Sequence, residues 1–205
     1  MKKQVVLGAV VSAFAMFTWG WFYWAVLALP VGIWQDQTTA EQTAVTDALN
    51  KLLDEDGVYF LPRPEEGVDD ESDPDSPFFK RHQAGPLVHI YYRKAGSDPM
   101  APSTFAFGFL HVLVANLMLA GLLATLKNSF CCYSARVALV AGIGLFAGYW
   151  IEMSRPIWFH HPFGYALYSW GYHISVWLIG GVILGAIVKD KQAKEVEPTS
   201  AANAG

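Results

Sequence analysis

The stretch "TFAFGFLHVLVANLMLAGLLATL", Thr104 to Leu126, contains no acidic or basic side chain apart from one histidine. Roughly 20 such residues in an α-helix cross the hydrocarbon core of a bilayer. Three further apolar stretches run from Val5 to Val31, from Ala135 to Ile151 and from Ala166 to Val188. The whole chain has 53% hydrophobic and only 16% charged residues, which is a membrane-protein composition.

We therefore expect an all-α membrane protein with four transmembrane helices and a small extracytoplasmic α+β insertion between the first two. Residues 1–34 are predicted to form a signal-anchor helix, because their apolar core exceeds the roughly 7–15 residues of a cleaved signal. Residues 35–102 form the acidic insertion, residues 103–189 transmembrane helices 2 to 4, and residues 190–205 a disordered cytoplasmic tail.

The basic residues predict the orientation of the chain, because lysine and arginine near helix ends stay on the cytoplasmic side. If the chain crosses four times, one side receives Lys2, Lys3, Lys127, Arg136, Lys189, Lys191 and Lys194. Both termini are then cytoplasmic. The insertion lies outside, with 14 acidic and six basic residues and thus a net charge of −8.

The insertion contains its own secondary-structure signals. Thr38 precedes Glu41 by three residues, which is a capping-box spacing, and the apolar residues from Ala44 to Leu53 recur at helical intervals. They predict a helix of about four turns that Gly57 stops. The runs "VYFLP" and "LVHIYYR" are rich in β-branched and aromatic residues, so they predict an antiparallel hairpin. Between them, "RPEEGVDDESDPDSP" reads as a mobile acidic linker.

Several function classes are disfavoured by the motifs. The acidic residues of the linker alternate as the first ligands of an EF-hand loop do. The rest of the pattern fails, since Pro74 stands where the loop needs glycine and Lys80 where it needs glutamate. The two cysteines, Cys131 and Cys132, are adjacent in a cytoplasmic turn and form no C-x-x-C pair. Nucleotide-binding, zinc-protease and serine-hydrolase motifs do not occur. An enzyme is thus the less favoured interpretation, and nucleic acid is not an expected partner.

The segment order "GVYFLP", acidic spacer, "GPLVHIYYR", "PMAPSTFAFGF" and three closing helices resembles a family of small, uncharacterised bacterial four-helix integral-membrane proteins with a periplasmic first loop. The resemblance spans most of the chain. It implies the same topology and a location in the bacterial inner membrane, and it implies no activity and no catalytic residue.

Three ionisable residues are predicted to meet in one layer of the membrane. His111 and His173 lie at similar depths inside the outer ends of helices 2 and 4. Glu152 follows Gly144 and Gly148 at four-residue spacing, so it ends a face of small residues that points into the bundle. Because side chains lean toward the N-terminus of their helix, the two histidines and Glu152 lean toward one another, with Arg155 just above.

This layer admits two interpretations. His111 and His173 could bind a cofactor such as haem or a quinone, and with Glu152 they could ligate a divalent metal. Alternatively, the three side chains only hydrogen-bond one another or Arg155 and so hold the helices together, with no cofactor at all.

Other conspicuous residues predict interfaces rather than chemistry. Trp19, Trp21 and Trp24 cannot share one helix face, so some of these rings must meet lipid or another protein. Trp158, His160 and His161 fall in the outer turn, where interfacial anchoring explains them. Gly8 and Ser12 offer a small-residue face suited to Gly181 and Gly185 of helix 4.

Two functions remain open from the sequence. The first is a non-catalytic accessory or assembly subunit, which lies in the lipid bilayer and binds other membrane-protein subunits or copies of itself. The second is a redox or transport component that uses the His111, His173 and Glu152 layer. Transport alone is the weaker version, because four helices without internal repeats lack the usual basis for alternating access.

Overall fold

The computed structural model describes residues 2–126, 129–130 and 132–189. The predicted tail at 190–205 and the basic residues Lys127, Lys191 and Lys194 lie outside these ranges. The protein is mostly helical and contains one small sheet of two strands. The described residues form two compact units: those within 2–34, 100–157 and 161–189 belong to the first, and residues 35–99 and 158–160 to the second.

Four helices of the first unit are long and apolar enough to cross a membrane, and the chain is a multi-pass membrane protein. The first, Lys2–Val31, consists of α1 (Lys2–Trp21), a π-helical turn (Phe22–Leu27) and α2 (Ala28–Val31). It ends at Gly32, whose φ of 68° lies in the left-handed region that favours glycine. The other three are α5 (Pro102–Thr125), α6 (Tyr133–Phe159) and α7 (Phe163–Ile187).

The helices of the first unit pack through small residues. A Cβ on Gly8 of α1 would lie 3.1 Å from Val188, which follows α7, and one on Gly180 of α7 would lie 2.9 Å from Met16 of α1. α5 packs on the other side of α1, where Phe109 meets Phe17 edge to face at 5.8 Å between ring centroids. α1 therefore lies between α5 and α7.

The predicted pairing of Gly8 and Ser12 with Gly181 and Gly185 is wrong in its second half. Gly181 and Gly185 pack instead against Val137 of α6. A Cβ on Gly181 would lie 3.0 Å from the backbone oxygen of Val137, and one on Gly185 would lie 3.2 Å from its side chain. Neighbouring helix residues point about 100° apart, so Gly180 faces α1 while Gly181 faces α6. The sequence spacing correctly identified a close-packing face but assigned it to the wrong neighbour.

α6 extends eight residues beyond the predicted end at Ile151 and includes Pro156. Proline removes one backbone donor from a helix, yet the helix continues past it to Phe159. The predicted outer turn is therefore short. His160, with a φ of 55°, adopts the left-handed conformation that ends the helix, and α7 begins at Phe163.

The second unit begins with α3 (Thr39–Leu52), which carries the predicted capping box between Thr38 and Glu41. Strands β1 (Gly57–Leu61) and β2 (Val88–Tyr92) pair antiparallel with Gly57 opposite Tyr92 and Leu61 opposite Val88, which confirms the predicted hairpin. The prediction that Gly57 stops the helix is wrong, since α3 ends five residues earlier and Gly57 opens β1. The short helix α4 (Pro77–Ala84) lies between the strands and was not predicted.

Candidate functional site

Glu152 ends a buried seam along α6. The buried members of this helix recur every four residues, at Arg136, Val140, Gly144, Gly148 and Glu152. Four-residue spacing places side chains on one helix face. The carboxylate side chain is only 5% exposed, so Glu152 lies inside the bundle as the sequence predicted.

His173 and Trp177 of α7 fill the space that two glycines of α6 leave open. A Cβ on Gly148 would lie 2.6 Å from the Cβ of His173, and a Cβ on Gly144 would lie 2.1 Å from the indole of Trp177. No side chain larger than hydrogen fits at either position without displacing α7. The glycines therefore determine that His173 reaches the level of Glu152.

Glu152 contacts two basic side chains. His173 Nε2 lies 3.2 Å from Glu152 Oε1, where the imidazole N–H donates to the carboxylate. Arg155 Nη1 lies 3.1 Å from Glu152 Oε2 in an ion pair that lacks hydrogen-bond alignment. The side chains of His173 and Arg155 are 27% and 38% exposed. A carboxylate in this position links α6 to α7 and is neutralised by Arg155 on its own helix.

His111 does not join this pair. It lies on the exposed face of α5, and no hydrogen bond or ion pair to it occurs in the part of the chain that the structure describes. Within the same residues, no three His, Cys, Asp or Glu side chains are close enough to hold a metal ion. The expected three-residue layer is thus reduced to Glu152 and His173, because matched depth along two helices does not fix which way each side chain faces.

Two of the three tryptophans predicted as interface residues contact α7 of the same chain. Trp19 Nε1 donates to the hydroxyl of Ser175 at 2.9 Å. The ring of Trp24 packs between Trp34 and the tyrosines of α7, with 5.3 Å between its centroid and that of Tyr168. Trp21 alone of the three is exposed.

The π-helical turn forms a reciprocal contact that sequence reasoning missed. The hydroxyl of Tyr23 donates to the backbone oxygen of Tyr168 at 2.9 Å, and the hydroxyl of Tyr168 donates to the backbone oxygen of Tyr23 at 2.7 Å. Gly171 makes room for Tyr23, because a Cβ on Gly171 would lie only 3.1 Å from the Tyr23 hydroxyl. The aromatic runs "WFYW" and "YALYSWGYH" were visible signals, but neither identifies the other as its partner.

Trp158 and His160, predicted as interfacial anchors, belong to the second unit. Trp158 is exposed, and the His160 ring lies edge-on to His82 at 5.5 Å between centroids. Both line a cavity of about 100 Å³ together with Phe60 and His89. His161 belongs to the first unit, where its backbone N–H reaches the carbonyl oxygen of Arg155 at 3.4 Å.

The acidic segment is more ordered than its composition predicts. Asp69 accepts hydrogen bonds from the backbone N–H groups of Glu65 and Phe78, at 2.9 and 2.7 Å, and forms an ion pair with Arg81. The bond from the Glu65 backbone and then those from Arg81 and Phe78 lower the pKa of Asp69 below its ordinary value. The predicted mobile linker is therefore a series of turns fixed at Asp69, and it leads into α4.

No family model matches the chain, and neither a curated protein nor a solved structure is significantly similar to it.

Proposed function

We propose that the chain is a non-catalytic integral protein of the bacterial inner membrane, and an accessory or assembly subunit of a larger membrane complex. In this proposal residues 35–102 are presented in the periplasm and supply the docking surface for a partner. The observation that carries it is the contact of Glu152 with His173 and Arg155, because the polar groups of these three residues contact one another.

The Glu152 cluster has the properties of a structural link. Polar side chains that bond across membrane helices stabilise the bundle, since the alternative is an unsatisfied polar group in hydrocarbon. Glu152 is enclosed on a face that closely packed glycines bring against His173. Trp19 and Ser175 make a second polar link, between α1 and α7. Both contacts favour a role in holding the helices together.

The acidic segment supports a docking role for the second unit. Residues 65–75 contain seven acidic and no basic side chains, and all the acids except Asp69 are exposed. Their backbone is fixed by local hydrogen bonds, such as that from Ser72 N–H to Asp70 at 2.8 Å. A fixed surface of one charge sign attracts a partner of the opposite sign and accelerates the encounter. The expected partner surface is therefore basic.

The second candidate function is a redox or transport component that binds haem, a divalent metal or a quinone. The observation that favours it is Glu152 Oε2, which is buried and accepts no hydrogen bond within the described residues. An acceptor that lies beside Arg155 but accepts no hydrogen bond suits the hydroxyl of a quinol. The same residue thus serves both hypotheses, and an experiment must separate them.

The experiment compares three variants of the full chain, extracted from its native membrane in mild detergent at low salt. The variant E66Q/E71Q/D75N removes three charges from the acidic segment. The variant D36N/D47N/D54N removes three charges elsewhere in the second unit and is the matched control. H173Q replaces the imidazole by an amide that still hydrogen-bonds to Glu152. Native mass spectrometry measures the complex, while absorption spectra and metal analysis measure bound ligands.

We expect the first variant to lose about 90% of the co-extracted partner, with at most a twofold loss in the control. H173Q should keep the partner, because the helix link survives. Retention of the partner by E66Q/E71Q/D75N would overturn the docking proposal. A Soret band or stoichiometric metal that disappears in H173Q would establish the redox alternative instead, since glutamine cannot replace imidazole at a transition metal. A stoichiometric quinone in the unmodified chain would establish it as well.

A further inference from the structure

The outward face of α5 carries a continuous heptad seam that no part of the described chain covers. Counting alternately three and four residues along α5 gives Thr104, Phe107, His111, Val114, Met118, Gly121 and Thr125. Six of these are exposed, with Phe107 at 71% and Met118 at 72%. A Cβ on Gly121 would meet nothing within 4 Å. This spacing is that of the contact positions in a left-handed coiled coil.

The opposite face of α5 has the same spacing and is already occupied by α1. Its members are Phe109, Leu113, Asn116, Ala120 and Leu123, of which the last three are buried. Asn116 donates to the backbone oxygen of Val112 and to the sulfur of Met16 in α1. α5 therefore has two seams on opposite sides, each with one polar residue near its middle.

His111 makes the uncovered seam costly in lipid. It lies nine residues from the start of α5, about 13 Å along the helix, and thus well inside a hydrocarbon core of roughly 30 Å. Ionisable side chains at such depth face protein or water rather than lipid. Between Phe107 and Val114, however, His111 has only apolar neighbours on its seam. The seam is thus an expected protein interface, and its occupant must hydrogen-bond to an imidazole.

We propose that the occupant is a second copy of this chain, with α5 of the two copies forming a parallel coiled coil. All copies enter a membrane in the same orientation, so a two-fold axis along the membrane normal places each residue beside its own counterpart. His111 then meets His111 of the second copy. A neutral imidazole has one donor and one acceptor nitrogen, so two of them satisfy each other.

The heptad positions also suit a self-pair. A single polar residue at a core position specifies register and oligomer state in coiled coils, and His111 occupies such a position, the third of the seven on the seam. The small Gly121 next to the large Met118 leaves room for the methionine of the opposing helix. This inference does not depend on the proposed docking role, because the seam lies on α5 and the acidic segment lies in the second unit.

The first test is disulfide cross-linking in the membrane, with Cys131 and Cys132 replaced by serine. V114C and M118C place one thiol on the seam. F146C is the matched control, because Phe146 of α6 is 70% exposed but lies outside the seam. We expect V114C and M118C to form covalent dimers of twice the chain mass under mild oxidation, and F146C to stay monomeric. Equal cross-linking by F146C, or a product of V114C with a different protein, would overturn the proposal.

The second test measures the dissociation constant of the dimer in detergent or lipid for three chains. H111N keeps a donor and an acceptor, whereas H111L removes both. Hydrogen bonds between membrane helices contribute about 0.6–2 kcal/mol, so H111L should weaken the dimer by about 3- to 30-fold. H111N should remain within about threefold of the unmodified chain. Equal affinity of H111L and H111N would contradict the histidine pair, and a monomeric unmodified chain would exclude the dimer itself.

Discussion

Asp69 is the residue that orders the acidic segment of the second unit. Its two carboxylate oxygens are shared among the backbone N–H groups of Glu65 and Phe78 and the guanidinium of Arg81. The segment and the first turn of α4 are thereby joined through one side chain. Because all three donors favour the ionised carboxylate, protonation of Asp69 weakens all three contacts together.

The pH dependence follows from the lowered pKa of Asp69. A carboxyl group whose pKa is lower in the folded than in the unfolded chain contributes stability that is fully present above the unfolded value, about pH 4. The contribution is lost as the pH falls through the folded value. We expect the protection of the Glu65 and Phe78 amides, measured as the intrinsic exchange rate at each pH divided by the observed rate, to fall several-fold below pH 4, and D69N to show this fall already at pH 7.

D70N is the control for that experiment. The pKa of Asp70 is also lowered, first by the Ser72 hydroxyl, but its contacts stay within its own turn. Its replacement should leave exchange at Phe78 unchanged. If D70N and D69N had the same effect on α4, the ordering role would belong to the charge of the whole segment rather than to Asp69.

The contact between α6 and α7 depends on glycine at two positions of one helix. We expect G144A to destabilise the protein by about 1–3 kcal/mol, the usual cost of overpacking, because the added methyl group collides with Trp177. G142A is the control on the same helix, since nothing lies within 4 Å of a Cβ there. Alanine is the better helix former by about 1 kcal/mol, so G142A should be neutral or stabilising. Thermal unfolding in detergent measures both, and an equal loss in the two variants would contradict the proposed packing.

The sequence predicts elements better than it predicts their partners. Apolar length and turn residues located all four long helices and the β1–β2 hairpin, and four-residue spacing correctly buried Glu152. The sequence also predicts how far along its helix His111 lies. Whether the side chain faces the bundle depends on which face of α5 packs against α1, and residue spacing alone does not predict that. α4 was missed although Ser76 and Pro77 have the form of a helix start, because the acidic composition before them outweighed that signal.

At the scale of the whole molecule, the distribution of basic residues predicts how the chain crosses the membrane. Lys2 and Lys3 are the first residues of the first long helix, Arg136 lies near the start of α6, and Lys189 follows α7. With four crossings these ends fall on the same side. Arg136 is buried and its Nε donates to the Gly185 backbone oxygen at 2.9 Å, so it stabilises the end of α7 as well as marking that side.

Reporter fusions test this orientation directly. Positively charged helix ends remain in the cytoplasm, so a fluorescent protein fused after Lys191 should be active there. A phosphatase that needs disulfides, inserted near Asp70, should be active only if that position reaches the oxidising periplasm. The exchanged reporters, with the phosphatase after Lys191 and the cytoplasm-dependent reporter near Asp70, serve as controls and should both be inactive. Activity of one reporter at both positions would place both in one compartment. That result would contradict four crossings of which the first precedes residue 35, because Asp70 and Lys191 would then lie on opposite sides.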